Sequence, residues 1–239
     1  MTAQLVFAYP GDLSTRTGGY GYDRKFIAGL KALGWKVELL PLGDGFPAPE
    51  PAVKDGAERL LSALPDGALV MIDGLAFGVL DDWAAKEGTR LRIVALVHHP
   101  LSLETGLDAD RQRVLHESER RALAHVRHIV VTSHATAQTL VSGFAIPADD
   151  ITVALPGTDP APVSACDGDP PHIVSIGSLI PRKAHDVLVD SLKLIEGLPW
   201  KATIAGSRDM DPSTARALER QIAALGLHDR ILLAGDCDD

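Results

Sequence analysis

VSIGSLIPRKAHDVLVDSL, residues Val174 to Leu192, is the stretch that decides the fold. An apolar strand pattern over His172–Ile176 runs into Gly177, passes the cations Arg182 and Lys183, and resumes as a helical pattern near His185–Leu194. The same alternation continues downstream, with a strand over Lys201–Ala205, a helix near Pro212–Leu225 and a strand over Arg230–Leu233. Upstream, strands are expected at Leu5–Tyr9, Lys36–Leu40, Ala68–Ile72, Leu91–Val97, His128–Thr132 and Ile151–Ala154. Helical patterns lie between them. One covers about Tyr22 to Leu33, with Tyr22, Phe26, Ile27, Leu30 and Leu33 on one face; another covers about Asp108 to His125. A third follows Ser133, a residue suited to cap a helix N-terminus. Apolar strands alternating with helices imply an α/β protein whose parallel sheet is covered by helices on both faces.

Residues 155–171 break the rhythm. Pro156, Pro160, Pro162, Pro170 and Pro171 stand there among Gly, Ser and Asp, the composition of an interdomain linker. Two Rossmann-like domains follow, residues 1–165 and residues 166–239. The second, with three strands and two helices, is expected to be incomplete. Ligands of such sheets bind beyond the carboxyl ends of the strands, and two domains in series place a cleft between them.

Composition narrows the function. With 239 residues and 46% hydrophobic content, the chain has ample core, and a mean hydropathy of +0.08 fits a soluble globular protein. No apolar run reaches the roughly 18 residues that span a bilayer, so no integral membrane segment is expected. Met1 to Gln4 carries no positive signal-peptide region. Cys166 and Cys237 make no disulfide framework, which points to a reduced, cytoplasmic protein. A formal charge of −9 argues against a nucleic-acid partner, although a few placed cations and backbone N–H groups suffice for a diphosphate.

Three constellations could carry chemistry. Gly18-Gly19-Tyr20-Gly21 lies after the first strand and directly before a helix, where glycines admit a ligand close to the backbone and the helix N-terminus attracts an anion. It is not the dinucleotide fingerprint, because Arg24 replaces that motif's last glycine. Val97-His98-His99-Pro100 ends an apolar strand, so His98 could donate a hydrogen bond or move a proton. His116, His125 and His128, on helix surfaces or ends, read as structural. A zinc site is not expected, since the His98-His99 pair has no partner at ligand spacing in the sequence. The third constellation, Gly177 to His185, sets Arg182 and Lys183 beside a helix start, where a diphosphate would be neutralised. It is not a P-loop, because Arg182 stands where that motif's second glycine would be. The carboxylates Glu104, Asp108, Asp110, Glu117 and Glu119 look like a solvated face among Arg111, Arg113, Arg120 and Arg121.

In this order the segments resemble glycosyltransferase family 4, the retaining GT-B enzymes, over nearly the whole chain. The resemblance is carried by Gly18 to Gly21, Ala95 to His98, Val153 to Asp159, Val174 to Leu192, Ala202 to Gly206 and Ile231 to Gly235. It implies a GT-B fold and transfer with retained configuration, with no cofactor or metal. The donor would be a UDP- or GDP-linked sugar held mainly by the second domain. The acceptor would be a sugar, lipid or small molecule held mainly by the first.

On this resemblance His98 is the catalytic-site histidine facing the donor sugar. Lys183 with Arg182, Ser178, Gly18 and Gly19 would bind the donor diphosphate, and Tyr20 and Glu104 would lie on the acceptor side. The family's arginine directly after the second-domain glycine is Ser178 here, and the glycine usually following the lysine is Ala184. The family's paired glutamates, eight positions apart, fall beyond Asp239, and Asp236-Cys237-Asp238-Asp239 reads as the loop before the next helix. The alternative is a nucleotide- or sugar-binding module that needs further C-terminal residues or a partner chain. An NAD-type oxidoreductase is disfavoured by the failed fingerprint. A homodimer through an open sheet edge is also expected.

Overall fold

A computed structural model describes residues 3–237, which form two units, one up to Thr158 and one from Asp159 onward. The first unit holds β1 (Gln4–Tyr9), α1 (Gly18–Ala32), β2 (Lys36–Pro41), α2 (Pro51–Ser62), β3 (Leu69–Asp73) and the short α3 (Gly74–Phe77). It continues through α4 (Asp81–Glu87), β4 (Arg92–Val97), α5 (Ala109–Leu123), β5 (His128–Val131), α6 (His134–Phe144) and β6 (Ile151–Val153). All six strands are parallel, in the order β2-β1-β3-β4-β5-β6. The chain reverses its direction of travel across the sheet between β1 and β3. That switch point is where the strand ends diverge and leave room for a ligand.

Alternation along the strands divides the core. Val70 and Ile72, Ile93, Ala95 and Val97, and Ile129 and Val131 face a layer built by α2, α4, α5 and α6, with Leu61, Trp83, Leu123 and Leu140 among its buried side chains. Leu5 and Phe7, Met71, Leu96 and Val130 face the opposite way, where Ile27 of α1 is buried on them and Tyr22, Phe26 and Leu30 pack alongside. Leu33 does not join this stripe. It caps the C-terminus of α1 and is 78% exposed. In its place the buried face of α1 carries Asp23, which periodicity alone assigns to no role.

The second unit holds β7 (His172–Ile176), α7 (His185–Leu194), β8 (Lys201–Ala205), α8 (Pro212–Ala224) and β9 (Ile231–Gly235), with parallel order β7-β8-β9. One face is packed: Ala202, Ile204 and Ile231 meet Val189 and Leu192 of α7 and Leu218 and Ile222 of α8. On the other, Val174, Ile176 and Leu232 stand exposed. The expectation of helices on both faces therefore holds for the first sheet and not, among the described residues, for this one.

Strand and helix positions follow the expected pattern closely, including Ser133 as the cap of α6, accepting from the Thr136 N–H at 3.0 Å. The sequence pattern missed α2, α3 and α4. Asp238 and Asp239, read as part of a terminal loop, lie outside the described residues.

Candidate functional site

The chain from β1 to α1 places the first constellation. Thr17 caps the helix, its hydroxyl accepting from the Tyr20 N–H at 3.3 Å. Gly18 and Gly19 are thus the first turn of α1 and not a loop before it. Their N–H groups still point out of the helix end, as the first N–H groups of any helix do. A Cβ at Gly19 would stand 3.8 Å from the ring of His98, so the glycine backbone lies directly against that histidine.

His98 follows the last residue of β4, and Asp73 is the last residue of β3. Because β3 and β4 are neighbours, both side chains emerge at the same edge of the sheet. Asp23, one and a half turns into α1, completes the group. His98 Nε2 is 3.0 Å from Asp23 Oδ1 and 3.6 Å from Asp73 Oδ2. Asp23 is fully buried and Asp73 nearly so, while the His98 side chain keeps 23% of its surface. Asp73 Oδ1 also accepts from the Leu75 N–H at 2.7 Å, capping α3. The Tyr22 ring stands perpendicular to the imidazole, 5.4 Å between centroids.

Electrostatics follow from burial and crowding. Burial, and then the charge of Asp23, push the Asp73 carboxyl up to about 7, against the pull of His98 and the Leu75 N–H. Burial works against charge on His98 but is outweighed by the hydrogen bond and charge of Asp23 and the charge of Asp73, so its pKa is raised. Asp23 Oδ2 is buried with no donor among the described residues. A protonated Asp73 is the group that can supply one. The donor atoms of Asp23, Asp73 and His98 all lie within 4.8 Å of one another, a spacing that a small cation could bridge. The shared proton and the His98–Asp23 hydrogen bond account for the same arrangement. The two carboxylates that meet His98 are remote from it in sequence; the fold brings them in.

Tyr20 lies beside this cluster, but its hydroxyl is engaged, donating to the Pro10 carbonyl at 2.8 Å. Burial first, then the charges of Asp73, Asp23, Asp44 and Asp12, push that phenol up to about 12. Glu104 follows a single 3-10 turn at Leu101–Leu103, and its Oε1 accepts from the Thr105 N–H at 3.1 Å. Glu119 departs from its expected place on a solvated face: it is 1% exposed, with Oε2 accepting from the Leu101 N–H at 2.9 Å. Burial pushes it up to about 8, opposed by that hydrogen bond. It braces the turn that follows His98-His99-Pro100, a role hidden in a run of charged residues.

In the second unit the basic turn is built on close backbone approach. The Gly177 N–H donates to the Ala205 carbonyl at 2.8 Å, and a Cβ at Gly206 would fall 2.1 Å from the Gly177 oxygen. The Lys183 stem packs over Gly177, where a Cβ would be 3.2 Å from its Cδ. Arg182 and Lys183 are exposed on a 3-10 turn, and Ser178 is half-buried. Ala184 then takes the left-handed conformation, φ 51°, which explains the glycine usual in the resembling family. His185 is buried, with Nε2 3.1 Å from the Gly177 carbonyl oxygen. An open groove of about 260 Å³ lies beside this turn, lined by Leu179, Pro181, His185, Asp186, Thr214 and Gln221. Neither Arg182 nor Lys183 lines it.

The Glycosyltransferase Family 4 profile matches residues 68–162, from the start of β3 through the end of the first unit, and so spans Asp73 and His98. Over those residues the chain is similar to glycosyltransferase family 4, and its fold is that of the GT-B glycosyltransferases. Among solved structures, sucrose-phosphate synthase from Thermosynechococcus elongatus has a TM-score of 0.77 at 16% identity, covering 99% of this chain and 71% of that one. A glycosyltransferase from Rickettsia africae ESF-5 has a TM-score of 0.66 at 17% identity, covering 100% and 69%. HepE from Anabaena, in complex with UDP and glucose, has a TM-score of 0.62 at 15% identity, covering 99% and 70%. No curated protein matches by sequence. The chain thus spans about 70% of each of these structures. No helix among its described residues is long and apolar enough to cross a membrane.

Proposed function

We propose that this chain belongs to an enzyme that transfers a sugar, with retention of configuration, from a nucleoside-diphosphate sugar to a hydroxyl acceptor. The observation that carries the reading is the placement of His98 at a strand end of the switch-point edge, against the first turn of α1. A histidine and open helix N–H groups together suit a sugar bearing a diphosphate. UDP is the favoured nucleotide, supported by the HepE complexes with UDP and with UDP-glucose.

In this reading Arg182, Lys183 and Ser178 are the second unit's candidates for the diphosphate, and the N–H groups of Gly18 and Gly19 are the first unit's. Negative charge grows on the leaving diphosphate as the glycosidic bond breaks, so fixed cations lower the barrier more than they tighten the ground state. No cofactor is required by this chemistry. Glu104 stays the acceptor-side candidate, while the engaged hydroxyl of Tyr20 makes that residue a wall of the site. The cytoplasmic assignment rests on the sequence alone.

A second reading is a nucleotide- or sugar-binding chain that needs a partner to turn over, motivated by the exposed apolar residues Val174, Ile176 and Leu232 on one face of the second sheet. Calorimetry with UDP, GDP and NAD tests the core of both. Binding of a nucleoside diphosphate in preference to NAD is expected, and binding of NAD alone would overturn them. Release of UDP from UDP-sugars in the presence of acceptors then separates the two.

A further inference from the structure

We propose that Asp23 is a positioning residue for His98: its buried carboxylate holds the ring with the proton on Nε2, leaving Nδ1 as the atom offered to a sugar hydroxyl. The sugar as ligand rests on the function proposed above; the orientation of the ring does not.

Asp23 sits on the face of α1 that otherwise packs Tyr22, Phe26 and Ile27 onto the sheet. A carboxylate there is destabilising unless a partner compensates it. His98 is that partner, with Nε2 at 3.0 Å from Oδ1. An acceptor-only carboxylate at hydrogen-bond distance requires the proton to lie on Nε2. Asp73 backs the pair from the end of β3, 3.6 Å from Nε2, and in its protonated form satisfies the otherwise donorless Asp23 Oδ2. The Tyr22 ring packs perpendicular to it, and Gly19 lies against Cδ2 and Nε2. The ring is therefore held at its Nε2 side by α1 and β3. Among the described residues no group bonds Nδ1, and Nδ1 is not among the buried unsatisfied atoms, so it is the nitrogen left to solvent or ligand. A neutral imidazole with hydrogen on Nε2 accepts a hydroxyl proton at Nδ1, and an imidazolium donates there. The charged and titratable groups around it are Asp23, Tyr20 and Tyr22 from α1 and Asp73 from β3.

The test is long-range ¹H–¹⁵N NMR of the full chain with ¹⁵N-labelled histidine, with His98 assigned by His98→Gln. The wild type should show the Nε2–H tautomer. Asp23→Asn should lower the proton affinity of His98 by about tenfold or more, and Asp23→Glu should recover part of it. An Nδ1–H tautomer in the wild type overturns the proposal whether or not any variant folds. So does an unchanged His98 titration in a folded Asp23→Asn protein. Saturable one-to-one perturbation of His98 by Zn²⁺ or Mn²⁺ would overturn it by making the cluster a cation site. UDP binding measured on the same samples reports on the proposed function separately, because the tautomer is read without ligand.

Discussion

His98 Nε2 lies 3.0 Å from Oδ1 of Asp23, a residue 75 positions earlier and on the buried face of a different element. The contact joins the helix that follows β1 to the strand end of β4, across the point where the sheet order reverses. It ties α1 to His98, with Gly19 of the first helical turn lying against the same ring. Gly19→Ala is expected to fold normally, since its Cβ would meet His98 at an ordinary 3.8 Å. Ligand access at the helix end would be narrowed, so UDP-sugar turnover should fall well below wild type while the urea midpoint barely moves. Equal turnover would show that no ligand approaches there.

Glu119 carries a pH signature. Its folded pKa is raised to about 8, so the folded chain keeps a proton that the unfolded chain releases above about 4.5. This contribution to stability is fully present below the unfolded value and is lost as the pH rises through the folded one. Asp73, raised to about 7, acts in the same direction. Glu119→Gln keeps an acceptor for the Leu101 N–H and removes the titration. The variant should lose less stability than wild type between pH 5 and pH 8, by on the order of one to a few kcal/mol. Urea unfolding at three pH values measures this; parallel pH profiles would contradict it.

Ala184 and Gly206 make opposite predictions about glycine. Ala184 at φ 51° bears the left-handed strain of an L-residue, so Ala184→Gly should stabilise the chain by about 0.5–1 kcal/mol. Gly206 at φ 149° faces the Gly177 carbonyl, and Gly206→Ala should cost more than about 2 kcal/mol or displace the basic turn. Thermal or urea unfolding distinguishes these signs, and a stabilised Gly206→Ala would contradict the geometry.

Lys183→Ala and Arg182→Ala test the diphosphate assignment. Each should weaken UDP binding about tenfold or more, equivalent to about 1.4 kcal/mol, and the loss should shrink at high salt. Calorimetry at low and high ionic strength checks both parts. Unchanged affinity in both variants would move the nucleotide site elsewhere, the groove beside His185 and Thr214 being the next place to look.

Strand positions were legible because apolar runs bounded by glycine and proline are local signals. His172–Ile176, His185–Leu194 and Lys201–Ala205 are read from sequence with the bounds that the structure has. α2 does carry a helical stripe, Val53, Ala57 and Leu61, but it stands in a Pro- and Gly-rich stretch, while the four-residue α3 is too short to show any period. His98 was legible as a strand-end histidine, and the glycines as a helix approach. Asp23 and Glu119 were not. Each sits in a charged or mixed local sequence, and its burial comes from what other segments lay over it.

Sequence alone therefore determined the alternation, the linker, the basic turn and the resemblance, since all of these depend on residues near one another in the chain. Tertiary structure alone decided that Asp23 and Asp73 meet His98, because parallel strand order brings residues 23, 73 and 98 to one sheet edge. It also decided which carboxyls keep protons. Desolvation and neighbouring charge are properties of the packed surroundings, and a sequence specifies them only through the fold.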